Sequence, residues 1–190
     1  MATERWRQVR DHSWVKQMEA VCITVIFRGS RDAVFEALGV DAESEHRATF
    51  ATAEGEWSED RDVVQVWRSG EHLVVVEPNG FAGSLLETLL AMVQGRDAAS
   101  VYWNVNAHMK VVIVDAGEVV REFDPLLYDD GGRPLPEEDG LGFGDSDQDV
   151  QDGALNVLER RTGVVLTEEA LLRSEHPTFF ALANWQRPQR

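Results

Sequence analysis

Between Ser100 and Phe123, three strand-like segments are joined so tightly that they must pair as antiparallel neighbours. Ser100 to Asn106 alternates, with Val101, Trp103 and Val105 on one side and Tyr102, Asn104 and Asn106 on the other. That is the period-2 pattern of a strand. Val111 to Asp115 and Glu118 to Phe123 are separated by Ala116-Gly117 alone. Two residues can close an antiparallel hairpin, whereas a parallel pair needs a crossover of roughly a dozen residues. A three-strand meander is the expectation.

Other segments extend this sheet. Val21 to Arg28 is nearly continuously apolar and rich in β-branched residues, as a central strand buried on both faces should be. Val63 to Trp67 and His72 to Glu77 flank Arg68-Ser69-Gly70-Glu71, a hairpin-length link. Pro78-Asn79-Gly80 then marks a turn, since proline presets φ and Asn-Gly tolerates left-handed backbone. Helices are predicted at Ala2 to Ala20, Arg31 to Leu38, Ser84 to Gln94 and Val150 to Arg161. Ser30 is placed to cap the second of these and Gly39 to stop it. A short segment from Thr167 to Arg173 follows, and Phe179, Phe180 and Trp185 are expected to pack back onto the body. Residues 41 to 60 carry no clear pattern. The predicted fold is α+β: one domain over residues 1–190, with a mostly antiparallel sheet of five to six strands and helices packed on it.

Charge narrows the partners. Formal net charge is −16, which disfavours nucleic acid and anionic membranes. From Asp115 to Asp152 thirteen acidic residues stand against two arginines, so eleven of those negative charges lie in one stretch. Within it, residues 125–148 read as a long acidic loop. The apolar runs are far shorter than the ~20 residues of a membrane span. Glu4, Arg5, Arg7, Arg10 and Asp11 interrupt any signal peptide at the start, so a cytoplasmic location is expected.

Reactive chemistry is sparse. Cys22, the single cysteine, lies in the run Val21 to Phe27 and reads as a buried structural thiol. Asp145-Ser-Asp147-Gln-Asp149 opens like a calcium loop, but Val150 and Asn156 stand where glycine and a bidentate glutamate are required. The five histidines show no paired metal-ligand spacing, and no nucleophile elbow or phosphate-binding glycine loop occurs. No metal and no cofactor are expected. Two candidate surfaces remain. Arg28, Glu77, Tyr102, Asn104 and Asn106 form a ligand patch at a sheet end if their strands are neighbours. Alternatively, the asparagines serve a turn while Arg28 and Glu77 form an ion pair. Asp129, Asp130, Glu137, Glu138 and Asp139 form the acidic docking candidate.

The stretches VCITVIFRGSRDAVFEALG, HLVVVEPNGFAGS, SVYWNVNA, EVVREFDPL and LERRTGVVLTEEALL resemble, in that order, an uncharacterised family of actinobacterial proteins known as a domain of unknown function. The resemblance runs from Trp14 to about Leu172, with EPNG and YWNVNA its most specific pieces. It implies an intact domain from a high-GC Gram-positive bacterium and carries no activity with it. The function expected is a non-enzymatic interaction module of the immunity or antitoxin kind, binding a basic protein through an acidic surface. The alternative is a small-molecule binder or enzyme using the sheet-end patch.

Overall fold

The computed structural model describes residues 9–128, 133–143, 149–183 and 186. In chain order they form β1 (Val21–Phe27), α1 (Arg31–Leu38), β2 (Val40–Ala48), α2 (Phe50–Glu56), β3 (Arg61–Ser69), β4 (His72–Pro78), α3 (Leu86–Val93), β5 (Ala98–Trp103), β6 (Met109–Asp115), β7 (Glu118–Phe123), α4 (Val150–Thr162) and β8 (His176–Leu182). Among the described residues the strands make one sheet in the order β2-β8-β3-β4-β1-β5-β6-β7, antiparallel at every pairing. The α+β class and the antiparallel sheet stand. The strand count is corrected from five or six to eight.

The two unexpected strands share a cause. β2, with the sequence VDAESEHRA, is an edge strand whose side chains are mostly exposed, so no apolar alternation marks it. β8 inserts between β2 and β3, pairing His46 with Thr178 and Val63 with Phe180 across more than a hundred residues of chain. No local pattern announces so distant a partner.

β1 is apolar but for Thr24 because both of its faces are covered. Val21, Ile23 and Val25 point into a core shared with Val101, Trp103 and, from α4, Leu155 and Leu158. Ile26 points into a second core with Val75, Val112, Val34 and Leu38 of α1, and Leu89 and Met92 of α3. Trp103 is fully buried in the first core, and its indole N–H donates to the Met18 carbonyl at 2.9 Å.

Local chemistry explains the element ends. The Ser30 hydroxyl accepts from the Ala33 amide, and Gly39 closes α1 in the left-handed region. Ala116 and Gly117, with φ of 48° and 83°, make the tight β6–β7 turn that the meander requires. Three boundaries differ from expectation. The described part of the opening helix is a 3-10 helix over Ser13–Gln17, because Met18 is already extended ahead of β1. The third helix is divided into a 3-10 turn, Ala82–Ser84, and α3, with Leu85 extended between them. β5 stops at Trp103 instead of reaching Asn106, since residues 104–108 turn. Thr167 to Arg173 contains a π-helical segment, Glu169–Arg173, and Trp185 lies outside the described residues. No helix among the described residues is long and apolar enough to cross a membrane.

Candidate functional site

The strand register assembles part of the predicted patch. Cys22 of β1 stands opposite Glu77 of β4 on one side and Tyr102 of β5 on the other, so the three share a row and a face. One step along that face Thr24 stands opposite Ser100. Their hydroxyls are 3.0 Å apart, and the Cys22 thiol lies 3.5 Å from the Ser100 hydroxyl. This small polar cluster is buried within an otherwise apolar core.

Glu77, 1% exposed, is the centre of its local architecture. One carboxylate oxygen accepts the Ala82 amide at 3.0 Å and the other the Gly83 amide at 2.7 Å. These are the unsatisfied donors of the 3-10 turn, and a carboxylate is the strongest acceptor they can meet. The loop therefore folds back onto the strand that precedes it. Gly83 makes the closure tight. A Cβ there would lie 2.6 Å from the Thr24 hydroxyl, 2.9 Å from a Glu77 oxygen and 3.1 Å from the Cys22 sulfur. Burial first, and the Glu77 charge second, push the Cys22 thiol well above its ordinary pKa, so it stays protonated. It is a poor nucleophile.

At the rim, the Asn104 side-chain amide donates to the Tyr102 hydroxyl at 2.7 Å, while its carbonyl oxygen accepts the amides of Asn106 and His108. Asn104 thus holds the β5–β6 turn, and Asn106 lies exposed within it. Arg28 is elsewhere. It follows β1 at the end away from Cys22, about 20 Å along the strand at ~3.3 Å per residue. Its guanidinium pairs with Glu71 at 2.7 Å, with both side chains exposed. The structure thus joins Glu77, Tyr102 and Asn104, leaves Asn106 at the turn, and shows no Arg28–Glu77 ion pair.

The acidic stretch behaves in a way the sequence did not suggest. Asp129 and Asp130 lie outside the described residues. Asp139 is exposed, but Glu137 and Glu138 are buried. Glu138 receives a two-pronged contact from Arg121, 2.8 Å at each oxygen, plus the Tyr128 hydroxyl at 2.7 Å and the Leu135 amide at 2.8 Å. Burial alone raises the Glu138 pKa, but Arg121, the Leu135 amide and Tyr128 together outweigh it and hold the carboxyl below its usual range. Tyr128 is pushed up to about 12, by burial first and then by Glu138. Glu137 lies 3.2 Å from Arg161, while Arg160 reaches the carbonyls of Glu137 and Asp139. Two of the five proposed docking carboxylates therefore fasten the loop to β7 and α4.

Above the Arg121–Glu138 pair opens a cavity of about 1050 Å³, walled by Tyr128, Phe143 and the backbone around Leu135, with Arg133 exposed at its border. Sequence reading missed Arg121, although a signal existed. It lies two residues before Phe123 on the same face of β7, turned toward the core that Phe123 joins, where a charge demands a buried partner. Thr24 and Ser100 gave the same kind of signal inside apolar strands.

A family model described as a family of unknown function (DUF6461) matches residues 6–183. No curated protein and no solved structure matches the chain.

Proposed function

The chain belongs to this family of unknown function, which hands over no activity, and from that premise we propose that the protein is a non-enzymatic interaction module that binds a basic protein. One observation carries the reading. Along β7, the edge strand of the sheet, Glu118 and Glu122 are exposed on either side of apolar Val120, 46% exposed, with exposed Asp139 lining the same cavity as Val120 and Glu122, and Glu122 paired with Lys110 at 2.7 Å. An edge strand offers backbone groups to a partner, and negative charge around apolar side chains attracts a basic surface and then holds it. An immunity or antitoxin-like role, in the cytoplasm of an actinobacterium, fits this reading.

A ligand at the sheet end would be a different function. It would have to displace the 78–84 loop, because Gly83 already fills the space over Cys22 and Thr24. The test of the docking reading is capture from the native host at low salt, comparing wild type with E118Q/E122Q/D139N. A specific partner should be retained by the wild type, released by added salt and lost by the triple variant. Equal retention by both proteins would overturn the proposal.

A further inference from the structure

The other end of the sheet holds a cavity that neither reading uses. There Phe27 pairs with His72 across β1 and β4, and the Phe27 amide donates to the Asp97 carbonyl at 3.0 Å. Ala98 stands opposite Val114, which sets Asp97 across from Asp115. His72, Phe27, Asp97 and Asp115 thus form one row across four strands. Arg161 and Thr162, at the C-terminal end of α4, complete a cavity of about 410 Å³. That volume suits a small ligand or one long side chain.

Negative charge outweighs positive around it. Arg161 is divided between Asp115 at 3.3 Å and Glu137 at 3.2 Å, so one guanidinium faces two carboxylates. Asp97 adds a further negative charge, with one oxygen accepting the Ala116 amide at 2.8 Å. α4 runs thirteen residues and brings the negative end of its dipole to this wall. Arg160, in the same last turn, is turned toward the carbonyls of Glu137 and Asp139. Burial keeps the His72 pKa below its ordinary value, so the imidazole adds no positive charge near neutrality.

The remaining wall is aromatic. The Phe27 and His72 rings lie 5.4 Å apart, tilted by 54°. The Arg28 guanidinium sits 4.9 Å from the Phe27 centroid, so this ring already receives a cation of the kind at issue. Carboxylates, a helix C-terminus and an aromatic wall together select a positive charge on an apolar stem.

We propose that this cavity binds an organic cation, an alkylammonium or guanidinium group, with its charge between Asp97 and Asp115 and its stem against Phe27 and His72. The group can come from a free amine or from a lysine or arginine of a protein. The site does not depend on docking along β7.

Amide chemical-shift titration at low salt tests it, with ethylguanidinium, butylamine and the capped peptide Ac-Gly-Arg-Gly-NH2 as probes. The citrulline peptide, of equal shape without the charge, is the control. Saturable shifts at Phe27, Ala98 and Thr162 are expected with at least one cationic probe, weakened tenfold or more in D97N/D115N. Response to the peptide alone assigns the cation to a protein side chain; response to the small cations assigns it to a metabolite-sized amine. The D97N side chain keeps a carbonyl oxygen for the Ala116 amide and Arg161 keeps Glu137, so the double variant should fold, which its own spectrum checks. F27L is the second variant and should weaken binding without changing local charge. Absence of saturable shifts, equal binding of the citrulline peptide, or an unaffected D97N/D115N protein would each overturn the site. E122Q/D139N, which leaves Glu118 in place opposite Asp115, should bind the probes like wild type, which separates failure here from failure of the docking proposal.

Discussion

Glu77 and Glu138 are both buried carboxylates that fasten a loop, and they do it by opposite means. Glu77 is satisfied by amides five and six residues further along the chain. Glu138 depends on an arginine seventeen residues back, on another element, with Tyr128 in support. The first is a local device, and the turn it stabilises arrives with it in the sequence. The second is a tertiary ion pair, in which each charge is tolerable only while its partner is present.

The largest effect should come from breaking the second. R121M leaves the Glu138 charge buried with fewer donors and should cost about 3–5 kcal/mol in urea unfolding. Adding E138M should recover most of that loss, because a buried pair can be replaced by apolar side chains at little net cost. If the double variant is as unstable as R121M, the ion pair is not what holds the loop. E77A should be nearly as severe, about 2–4 kcal/mol, since two buried amides lose a charged acceptor and a void remains. Here no second substitution should rescue. The Cys22 thiol gives a local readout: inert to a thiol reagent in the wild type, it should react in E77A under native conditions.

Smaller effects sharpen the contrast. G83A should cost about 1–3 kcal/mol by overpacking against Thr24, Glu77 and Cys22, with no change in the 121–143 region. Acid should separate the two devices more gently. The folded Glu138 carboxyl has its pKa lowered from the ordinary 4.5, so the folded state binds its proton less readily than the unfolded state. Its contribution is complete above pH 4.5 and is lost as pH falls below that toward the folded value. The urea midpoint of wild type should therefore drop more steeply in acid than that of R121M/E138M. Parallel pH profiles would show that Glu138 is not linked to folding.

The candidate sites were legible in proportion to how local they are. The EPNG turn, the Ala116-Gly117 hairpin and the Ser30 cap were readable because each carries its backbone requirement in adjacent residues. Asn104 was readable as a turn residue for the same reason. The expected Arg28–Glu77 pair failed on direction along one strand: Arg28 follows the Phe27 end of β1, whereas Glu77 stands beside Cys22 near the other. The acidic stretch was misleading because charge counts say nothing of burial. Glu137 and Glu138 look like their exposed neighbours until Arg121, Arg160 and Arg161 are brought beside them.

By itself the sequence determined the class of the fold, the central strand, the meander and the excess of negative charge, since period, turn chemistry and composition act over a few residues. Tertiary structure alone decided that β8 enters between β2 and β3, which carboxylates face water, and that His72, Phe27, Asp97 and Asp115 share one row. The reason is physical. Strand pairing and ion pairing are satisfied by whichever backbone or charge lies nearest in space, and for this chain the nearest partner is often more than a hundred residues away.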